Sequence, residues 1–122
     1  TSRGLLEKYK AGDYEFDLPA NQVELLKKKD FGEYADPKRK DLVIGFITTN
    51  DITGGNSGSP VLNNRGELIG LAFDGNYEAL SHKLAFDKDL NRTICVDIRY
   101  VLWLIEKYSG AKHIVDEMDI AK

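Results

Sequence analysis

The chain has 122 residues, of which 42% are hydrophobic and 30% charged, and this length and composition predict one globular domain. Its net charge of −3 comes without a basic stripe, which argues against nucleic-acid binding, and no run of about 18 apolar residues predicts a membrane span. Two histidines and one cysteine are too few for a metal site, so neither a metal nor a cofactor is expected.

The first third of the chain gives mixed signals. Thr1–Tyr9 is predicted to be a strand that runs into a turn at Gly12–Asp13. Aromatic and acidic residues alternate over 14–18, which indicates a half-exposed strand or an extended loop. Pro19 is expected to open a short helix, and the polar segment 30–41 is expected to be a loop.

The rest of the chain predicts a sheet followed by helices. Strands are predicted at Leu42–Thr48, Pro60–Leu62, Glu67–Phe73 and Thr93–Val96, the second and third forming a hairpin. Cys95 lies in the last of these and is expected to be a buried apolar side chain. Asp97 is read as the N-cap of a helix through Tyr108, which Gly110 ends, and a second helix is predicted over 112–120. The predicted fold class is mainly β with C-terminal helices.

The segment Thr53–Val61, Thr-Gly-Gly-Asn-Ser-Gly-Ser-Pro-Val, carries the strongest chemical signal. It resembles the nucleophile loop of chymotrypsin-type serine peptidases, in which a serine hydroxyl is exposed on a tight turn between glycines. In that geometry Ser57 is the nucleophile, and the N–H groups of Gly55 and Ser57 form the oxyanion hole. The alternative is a surface turn rich in Gly, Asn and Ser that has no chemistry.

Neither histidine is well placed to serve as the base for this serine. His82 and His113 both follow Ser57, whereas the histidine and aspartate of chymotrypsin-type enzymes precede the serine. His113 is read as a surface pair with Asp116, and the role of His82 stays open. The chain is therefore expected to carry the nucleophile while the catalytic His and Asp lie in other sequence, so that this chain alone is inactive.

Two peptidase families share the Gly-Asn-Ser-Gly-Ser-Pro loop. Glutamyl endopeptidases carry a specificity histidine fifteen residues after the serine, where this chain has Ala72. The chain is more similar to the bacterial dipeptidyl-peptidases 7 and 11. That resemblance covers nearly the whole chain, through the stretches 12–17, 50–60, 66–76 and 93–102.

The resemblance implies a serine exopeptidase that releases dipeptides from the free N-terminus of oligopeptides. It implies that residues 1–122 are the C-terminal part of the catalytic domain, namely the second β-barrel of a chymotrypsin-like double β-barrel together with C-terminal helices. It also implies a homodimeric parent enzyme in the periplasm or cell envelope of a bacterium.

The same resemblance implies roles for three residues at the end of the return strand. Phe73 lines a pocket for a substrate side chain, and Asp74 is a candidate anchor for the α-ammonium group of the substrate. Gly75 stands where the acidic-specific type has arginine, so this chain is similar to type 7, which prefers apolar side chains. Read without the resemblance, residues 74–76 are a plain turn, and the role of Asn76 stays open.

Two residues depart from the trypsin-like pattern. Trypsin-like enzymes have aspartate at the position of Asn56, and they pair it with a newly cut N-terminus. An amide cannot form that ion pair, so activation by such a cut is not expected. Asp51 lies six residues before Ser57, the spacing of the carboxylate that selects Lys or Arg in trypsin-like enzymes, and its role is left open.

Two further functions remain as alternatives. One is a glutamyl-endopeptidase-like serine protease. The other is a non-catalytic barrel that binds peptides or self-associates, because a half-fold leaves apolar surface uncovered.

Overall fold

The computed structural model describes residues 1–81 and 87–121. The elements, in chain order, are α1 (Ser2–Lys8), α2 (Ala20–Lys28), a 3₁₀ turn (Gly32–Tyr34), β1 (Gly45–Thr48), β2 (Pro60–Leu62), β3 (Leu68–Gly75), α3 (Tyr77–Ser81), β4 (Thr93–Asp97), α4 (Ile98–Trp103), a π-helical turn (Leu104–Tyr108) and α5 (Lys112–Asp116). The chain divides into two compact units. Unit 1 comprises Thr1–Ile44 and Arg99–Lys122, and unit 2 comprises Gly45–Ile98.

The core of unit 1 forms around Trp103, which is fully buried. Its indole Nε1–H donates to the carbonyl oxygen of Asp30 at 2.8 Å, and its ring stacks on Tyr100 with the centroids 6.0 Å apart. The hydroxyl of Tyr100 accepts a hydrogen bond from Gln22 on α2 at 2.6 Å. Other buried apolar residues of this unit are Val23, Leu26, Phe31, Tyr34, Leu42, Val43, Leu102 and Val115.

The predicted strand over Thr1–Tyr9 is wrong, because α1 occupies Ser2–Lys8. Ser2 is buried there: its N–H donates to the carbonyl of Leu42 at 2.9 Å, and its hydroxyl donates to the carboxylate of Asp41. Burial alone would raise the pKa of Asp41, but the hydrogen bonds that it accepts, with Ser2 first, lower the pKa below its usual value. The start of α1 is thus set by residues about forty positions away, which local sequence does not reveal.

Residues 14–16 form a turn instead of a strand. The carboxylate of Asp13 accepts the backbone N–H groups of Glu15 and Phe16 at 3.0 and 3.2 Å, which closes an Asx turn. The alternating aromatic and acidic residues therefore belong to an exposed turn, in which Tyr14 is fully exposed.

The predicted helices of unit 1 are largely confirmed. Helix α2 follows Pro19, and the helix expected after Asp97 begins at Ile98 and ends before Gly110, whose φ is 67°. Its last turn is π-helical, and α5 is shorter than expected, ending at Asp116. The predicted pairing of His113 with Asp116 is wrong, because the carboxylate of Asp116 pairs with Lys112.

Unit 2 contains a four-stranded antiparallel sheet in the order β1-β4-β3-β2. The predicted antiparallel sheet followed by helices is confirmed, with differences in the bounds of three strands. Leu42–Ile44 precede β1 without joining it, β3 begins at Leu68 and continues through Gly75, and β4 includes Asp97. Cys95 on β4 is fully buried, as expected, and this burial raises the pKa of its thiol.

A β-bulge interrupts the pairing of β3 with β4 next to the end of β3. Ala72 pairs with Cys95, but the next residue to pair is Asp74, opposite Ile94. Phe73 is thus the extra residue on its strand. Bulges of this kind bend a strand and turn the extra residue out of the ladder.

Gly70 on β3 has no space for a side chain. A Cβ atom there would lie 2.5 Å from the carbonyl oxygen of Val96 and 2.8 Å from the ring of Phe46. Because one of these atoms is backbone, we expect Gly70→Ala to lower the free energy of unfolding by about 3 kcal/mol. The measurement is the thermal unfolding midpoint of the full-length protein.

The matched control for this substitution is Gly4→Ala in α1. A Cβ atom at Gly4 meets nothing within 4 Å, so this alanine should leave the midpoint unchanged or raise it slightly. Equal midpoints for the two alanine variants would contradict the steric interpretation.

Candidate active site

The loop between β1 and β2 places Ser57 between two glycines with left-handed backbone. The φ angles are 94° at Gly55 and 86° at Gly58, in the region that glycine adopts without a Cβ penalty. Ser57 itself is exposed. The backbone of the loop therefore turns sharply on both sides of an exposed hydroxyl, as its glycines predict.

Asn56 stabilises this loop through hydrogen bonds to other residues of the loop. Its side-chain Oδ1 accepts the N–H of Thr53 at 2.8 Å, and its own N–H donates to the carbonyl of Thr53 at 3.1 Å. The carbonyl of Asn56 accepts the N–H of Ser59 at 3.0 Å. These three bonds close the loop through a neutral carboxamide, without an ion pair at this residue.

The backbone N–H groups around Ser57 divide into bound and unbound donors. The N–H groups of Asn56, Gly58 and Ser59 all donate within the unit, that of Gly58 to the carbonyl of Ala72 at 2.7 Å. By contrast, the N–H groups of Gly55 and Ser57 have no acceptor within residues 1–81 and 87–121. These two are the donors that the sequence predicts for an oxyanion hole, and they are available to a ligand.

The hydroxyl of Ser57 donates to the backbone carbonyl of Phe73 at 3.2 Å. Phe73 is the bulged residue of β3, so its carbonyl is turned out of the ladder with β4 and can accept this bond. The bulge therefore places the nucleophile candidate against the end of β3.

The other predicted site residues lie at the end of β3, beginning with the residue whose carbonyl accepts the Ser57 hydroxyl. The side chain of Phe73 is half exposed, and Asp74 is exposed. The carboxylate of Asp74 accepts the N–H of Gly75 at 2.8 Å through one oxygen, and its second oxygen has no hydrogen-bond partner in the part of the chain that the structure describes. Ser57 is thus bonded to the strand end on which Phe73, Asp74 and Gly75 follow one another.

Gly75 packs against the short helix that follows it. A Cβ atom at Gly75 would lie 3.2 Å from Cβ of Ala79 on α3, closer than ordinary van der Waals contact. The φ of Gly75 is outside the left-handed region, so its lack of a side chain reflects space and not backbone conformation.

The sequence assigns no role to Asn76, but its side chain makes three hydrogen bonds, more than that of Phe73 or Asp74. Its Oδ1 accepts the N–H of Arg92 at 2.9 Å, and its Nδ2 donates to the carbonyl of Leu90 at 2.8 Å and to Glu78 at 2.7 Å. The partners at 90–92 lie about fifteen residues further along the chain, and no local pattern points to them.

Three residues of the sequence are considered as acid–base partners of Ser57, namely His82, His113 and Asp51. His82 lies outside the described residues, and His113 is on α5 of unit 1. Asp51 is exposed in the segment after β1. Within residues 1–81 and 87–121, the hydroxyl of Ser57 has the Phe73 carbonyl as its partner and no imidazole.

A search of the described residues finds no group of three or more His, Cys, Asp or Glu side chains that could hold a metal ion. In the same ranges, none of the helices has the length and hydropathy needed to cross a membrane.

The chain matches the family model of peptidase S46 over residues 1–120. It is 63% identical to dipeptidyl-peptidase 7 of Capnocytophaga gingivalis over 120 residues, which are 98% of this chain and 17% of that protein. It is 56% identical to dipeptidyl-peptidase 7 of Phocaeicola vulgatus, over 100% of this chain and 17% of that protein. An Asp/Glu-specific dipeptidyl-peptidase of Capnocytophaga gingivalis is 49% identical over 122 residues, covering 100% of this chain and 17% of that protein.

Among solved structures, the chain is similar to DPP11 of Porphyromonas endodontalis in complex with the dipeptide Arg-Glu. The TM-score is 0.89 at 37% identity, over 94% of this chain and 16% of that one. The chain thus spans about a sixth of the length of the relatives that it matches. A family model that covers 120 of 122 residues and relatives at this identity give one conclusion: the chain belongs to the S46 family of peptidases.

Proposed function

We propose that this chain supplies the nucleophile and part of the substrate site of a serine dipeptidyl-peptidase. The observation that carries the proposal is the arrangement around Ser57. Its exposed hydroxyl lies between two left-handed glycines and against the end of β3, and the two N–H groups beside it have no acceptor among the residues that the structure describes. The names of its relatives as dipeptidyl-peptidases support the same activity.

The proposed reaction is an acyl transfer through Ser57. In the full-length protein an imidazole from outside this chain takes the proton of the Ser57 hydroxyl, and Oγ attacks the carbonyl carbon of the second residue of the peptide. The oxyanion that forms accepts hydrogen bonds from the N–H groups of Gly55 and Ser57. The C–N bond then breaks, the imidazolium protonates the leaving amine, and water hydrolyses the dipeptidyl ester to release the dipeptide.

This mechanism requires the hydroxyl of Ser57 to leave the Phe73 carbonyl and turn to the base. The bond to the Phe73 carbonyl is long, at 3.2 Å, and exposed, so breaking it costs little, about 1 kcal/mol or less. Without an imidazole in reach, nothing accepts the proton of Ser57. We therefore propose that the isolated chain is inactive.

The end of β3 suits the recognition of a free N-terminus. Asp74 is exposed next to the bulge, and one of its oxygens is held by the N–H of Gly75. A carboxylate oriented in this way can bind the α-ammonium of a peptide by a charge-assisted hydrogen bond. Phe73, half exposed beside it, offers apolar surface to a substrate side chain.

Gly75 is the proposed determinant of the preference next to the scissile bond. Glycine adds neither charge nor bulk, which favours apolar side chains. Gly75→Arg in the full-length protein should therefore raise kcat/KM for substrates with Glu at this position relative to Leu, because the guanidinium pairs with the carboxylate. We expect an increase of roughly tenfold in the Glu/Leu ratio, measured with matched fluorogenic dipeptide substrates.

The contact with Ala79 limits this substitution. Because the new Cβ atom would lie 3.2 Å from that of Ala79, the double variant Gly75→Arg/Ala79→Gly should gain more than Gly75→Arg alone. Ala79→Gly by itself is the control and should keep the preference for Leu. An unchanged Glu/Leu ratio in both arginine variants would count against the assignment of the pocket.

We also propose that residues 1–122 are the C-terminal part of a larger catalytic domain with a chymotrypsin-like fold. Ile47, Leu62 and Leu68 are exposed on the strands of unit 2 or beside them, and more chain is needed to cover them. The relatives, about six times as long, have that chain. A homodimeric parent in the bacterial periplasm or cell envelope remains a prediction from the resemblance.

The test of the proposed function is replacement of Ser57 by alanine in the full-length protein, with dipeptide release from a peptide substrate as the measurement. No observation in the described residues favours a glutamyl endopeptidase or a non-catalytic barrel over this function.

A further inference from the structure

The connection between β3 and β4 is closed at its base by one side chain, that of Asn76. Beyond the bulge at Phe73, β3 pairs with β4 through only two residues, Asp74 opposite Ile94 and Gly75 opposite Thr93. So short a piece of ladder is expected to fray unless something closes it. The residues that fray would be the ones proposed to bind substrate.

Asn76 lies where the strand becomes a helix, and it satisfies both elements at once. Its backbone N–H continues the ladder by donating to the carbonyl of Arg92 at 2.9 Å, while its backbone carbonyl turns away and accepts the N–H of Ala79 on α3 at 3.0 Å. Its side-chain Oδ1 then accepts the N–H of Arg92 at 2.9 Å, in place of a backbone carbonyl. The carboxamide thus acts as one more residue of the sheet.

The amide nitrogen of the same side chain secures the opposite segment. Nδ2 donates to the carbonyl of Leu90 at 2.8 Å and to Glu78 at 2.7 Å. With one acceptor and two donor bonds made, the carboxamide has little freedom left to rotate. An aspartate would fit poorly here, because its second oxygen would face two acceptors, the Leu90 carbonyl and the Glu78 carboxylate.

The segment that Asn76 holds is itself ordered. The guanidinium of Arg92 donates to the carbonyls of Lys88 and Asn91 at 3.0 and 2.7 Å, and the N–H of Asn91 donates to Asp87 at 2.7 Å. Asn76 therefore connects the end of β3, through its hydrogen bonds, to the hydrogen-bonded turn at residues 87–92.

From this arrangement we propose that Asn76 is a positioning residue, which fixes Asp74 where it binds the α-ammonium of the substrate. The inference rests on the proposed function and extends it. Asn76 is two residues from Asp74 on the same strand end, so loss of its bonds frees the backbone that carries the carboxylate. Ser57 is held through a different set of bonds, its hydroxyl to the carbonyl of the bulged residue Phe73 and the N–H of the adjacent Gly58 to the carbonyl of Ala72. Loss of Asn76 should thus impair recognition of the amine more than reactivity of the serine.

The test uses the full-length protein with Asn76→Ala and Asn76→Asp, and with Asn64→Ala in the exposed hairpin turn as a matched control. Recognition of the amine is measured as the ratio of inhibition constants for N-acetyl-Ala-Leu and for Ala-Leu. Reactivity of the serine is measured as the rate at which a fluorophosphonate, which carries no ammonium group, labels Ser57. We expect both Asn76 variants to lower the ratio about tenfold and to change the labelling rate less than threefold, while Asn64→Ala changes neither.

A second comparison separates positioning from general loss of structure. In Asn76→Asp, the further change Glu78→Gln supplies an amide donor to the new carboxylate and should restore part of the ratio. An unchanged ratio in both Asn76 variants would overturn the inference, as would labelling and ratio lost together or failure of both variants to fold. Absence of labelling and of dipeptide release in the unmodified protein would instead refute the proposed function, and the two failures are thereby distinguished.

Discussion

Ser57→Ala in the full-length protein is expected to abolish release of dipeptides. Removal of the nucleophile in a serine peptidase lowers kcat by roughly 10⁶-fold, because the base has no hydroxyl to activate and only the oxyanion hole and substrate binding still contribute. The substitution removes one exposed hydrogen bond, to the Phe73 carbonyl, so the fold should be unaffected. The measurements are dipeptide release under single-turnover conditions and labelling by a fluorophosphonate, both of which should fall to background.

Ser59→Ala is the matched control for this experiment. Ser59 lies two residues away in the same loop, and it contributes backbone bonds there: its N–H donates to Asn56 and its carbonyl accepts from Ala72. Alanine keeps both bonds, so dipeptide release should stay within a few-fold of the unmodified protein. Release that survives in Ser57→Ala, or that disappears only in Ser59→Ala, would end the assignment of Ser57 as nucleophile.

The geometry of the loop around Ser57 could be predicted from the sequence because much of it is local. The φ angles of Gly55 and Gly58 are positive, and glycine is the residue that such angles favour. The side chain of Asn56 reaches only three residues back, to Thr53. The bonds that join Thr53, Asn56 and Ser59 are therefore made within a stretch that can be read as one motif, whereas the bonds of Gly58 and Ser59 to Ala72 depend on β3.

The end of β3 could be predicted only in part. The sequence predicts an ordinary strand over 67–73 and a turn over 74–76, and nothing in the alternation marks Phe73 as an extra residue of a strand that continues through Gly75. The bulge arises from the pairing with β4, about twenty residues further along the chain, and it decides which carbonyl meets Ser57. The roles of Asp74 and Gly75 came from the family resemblance, not from the pattern.

Contacts distant in the sequence account for the remaining differences. The first nine residues predict a strand, but they form helix α1, whose first residue is held by Asp41 and Leu42. The role of Asn76 stayed open for the same reason, since its partners are at 90–92. Tertiary contacts thus override local propensity at both places.

Asp74→Asn should produce the second large loss of activity, and it should depend on pH. The α-amino group of a peptide has a pKa of about 8, so the cationic substrate that Asp74 is proposed to bind disappears as the pH rises through 8. In the unmodified protein kcat/KM should therefore fall above this pH. The asparagine retains the shape of the side chain and can still accept the N–H of Gly75, but it has lost the charge.

The expected loss at pH 7 is that of a charge-assisted hydrogen bond, about 2–3 kcal/mol, or roughly 30- to 150-fold in kcat/KM. The decline above pH 8 should become shallower in Asp74→Asn, because the neutral amide gains less from the ammonium form of the substrate. Labelling of Ser57 by a fluorophosphonate should stay unchanged, since that reaction does not use the anchor.

Asp89→Asn is the matched control for charge. Asp89 is exposed in the turn before β4, where its backbone carbonyl accepts from Arg92. The substitution Asp89→Asn removes one negative charge from unit 2, as Asp74→Asn does. Any change in kcat/KM that both variants share therefore reflects net charge and not loss of the carboxylate that binds the ammonium group. If Asp74→Asn loses no more activity than Asp89→Asn and keeps the steep decline above pH 8, then the ammonium is bound elsewhere. The end of β3 would in that case contribute only the pocket at Phe73 and Gly75.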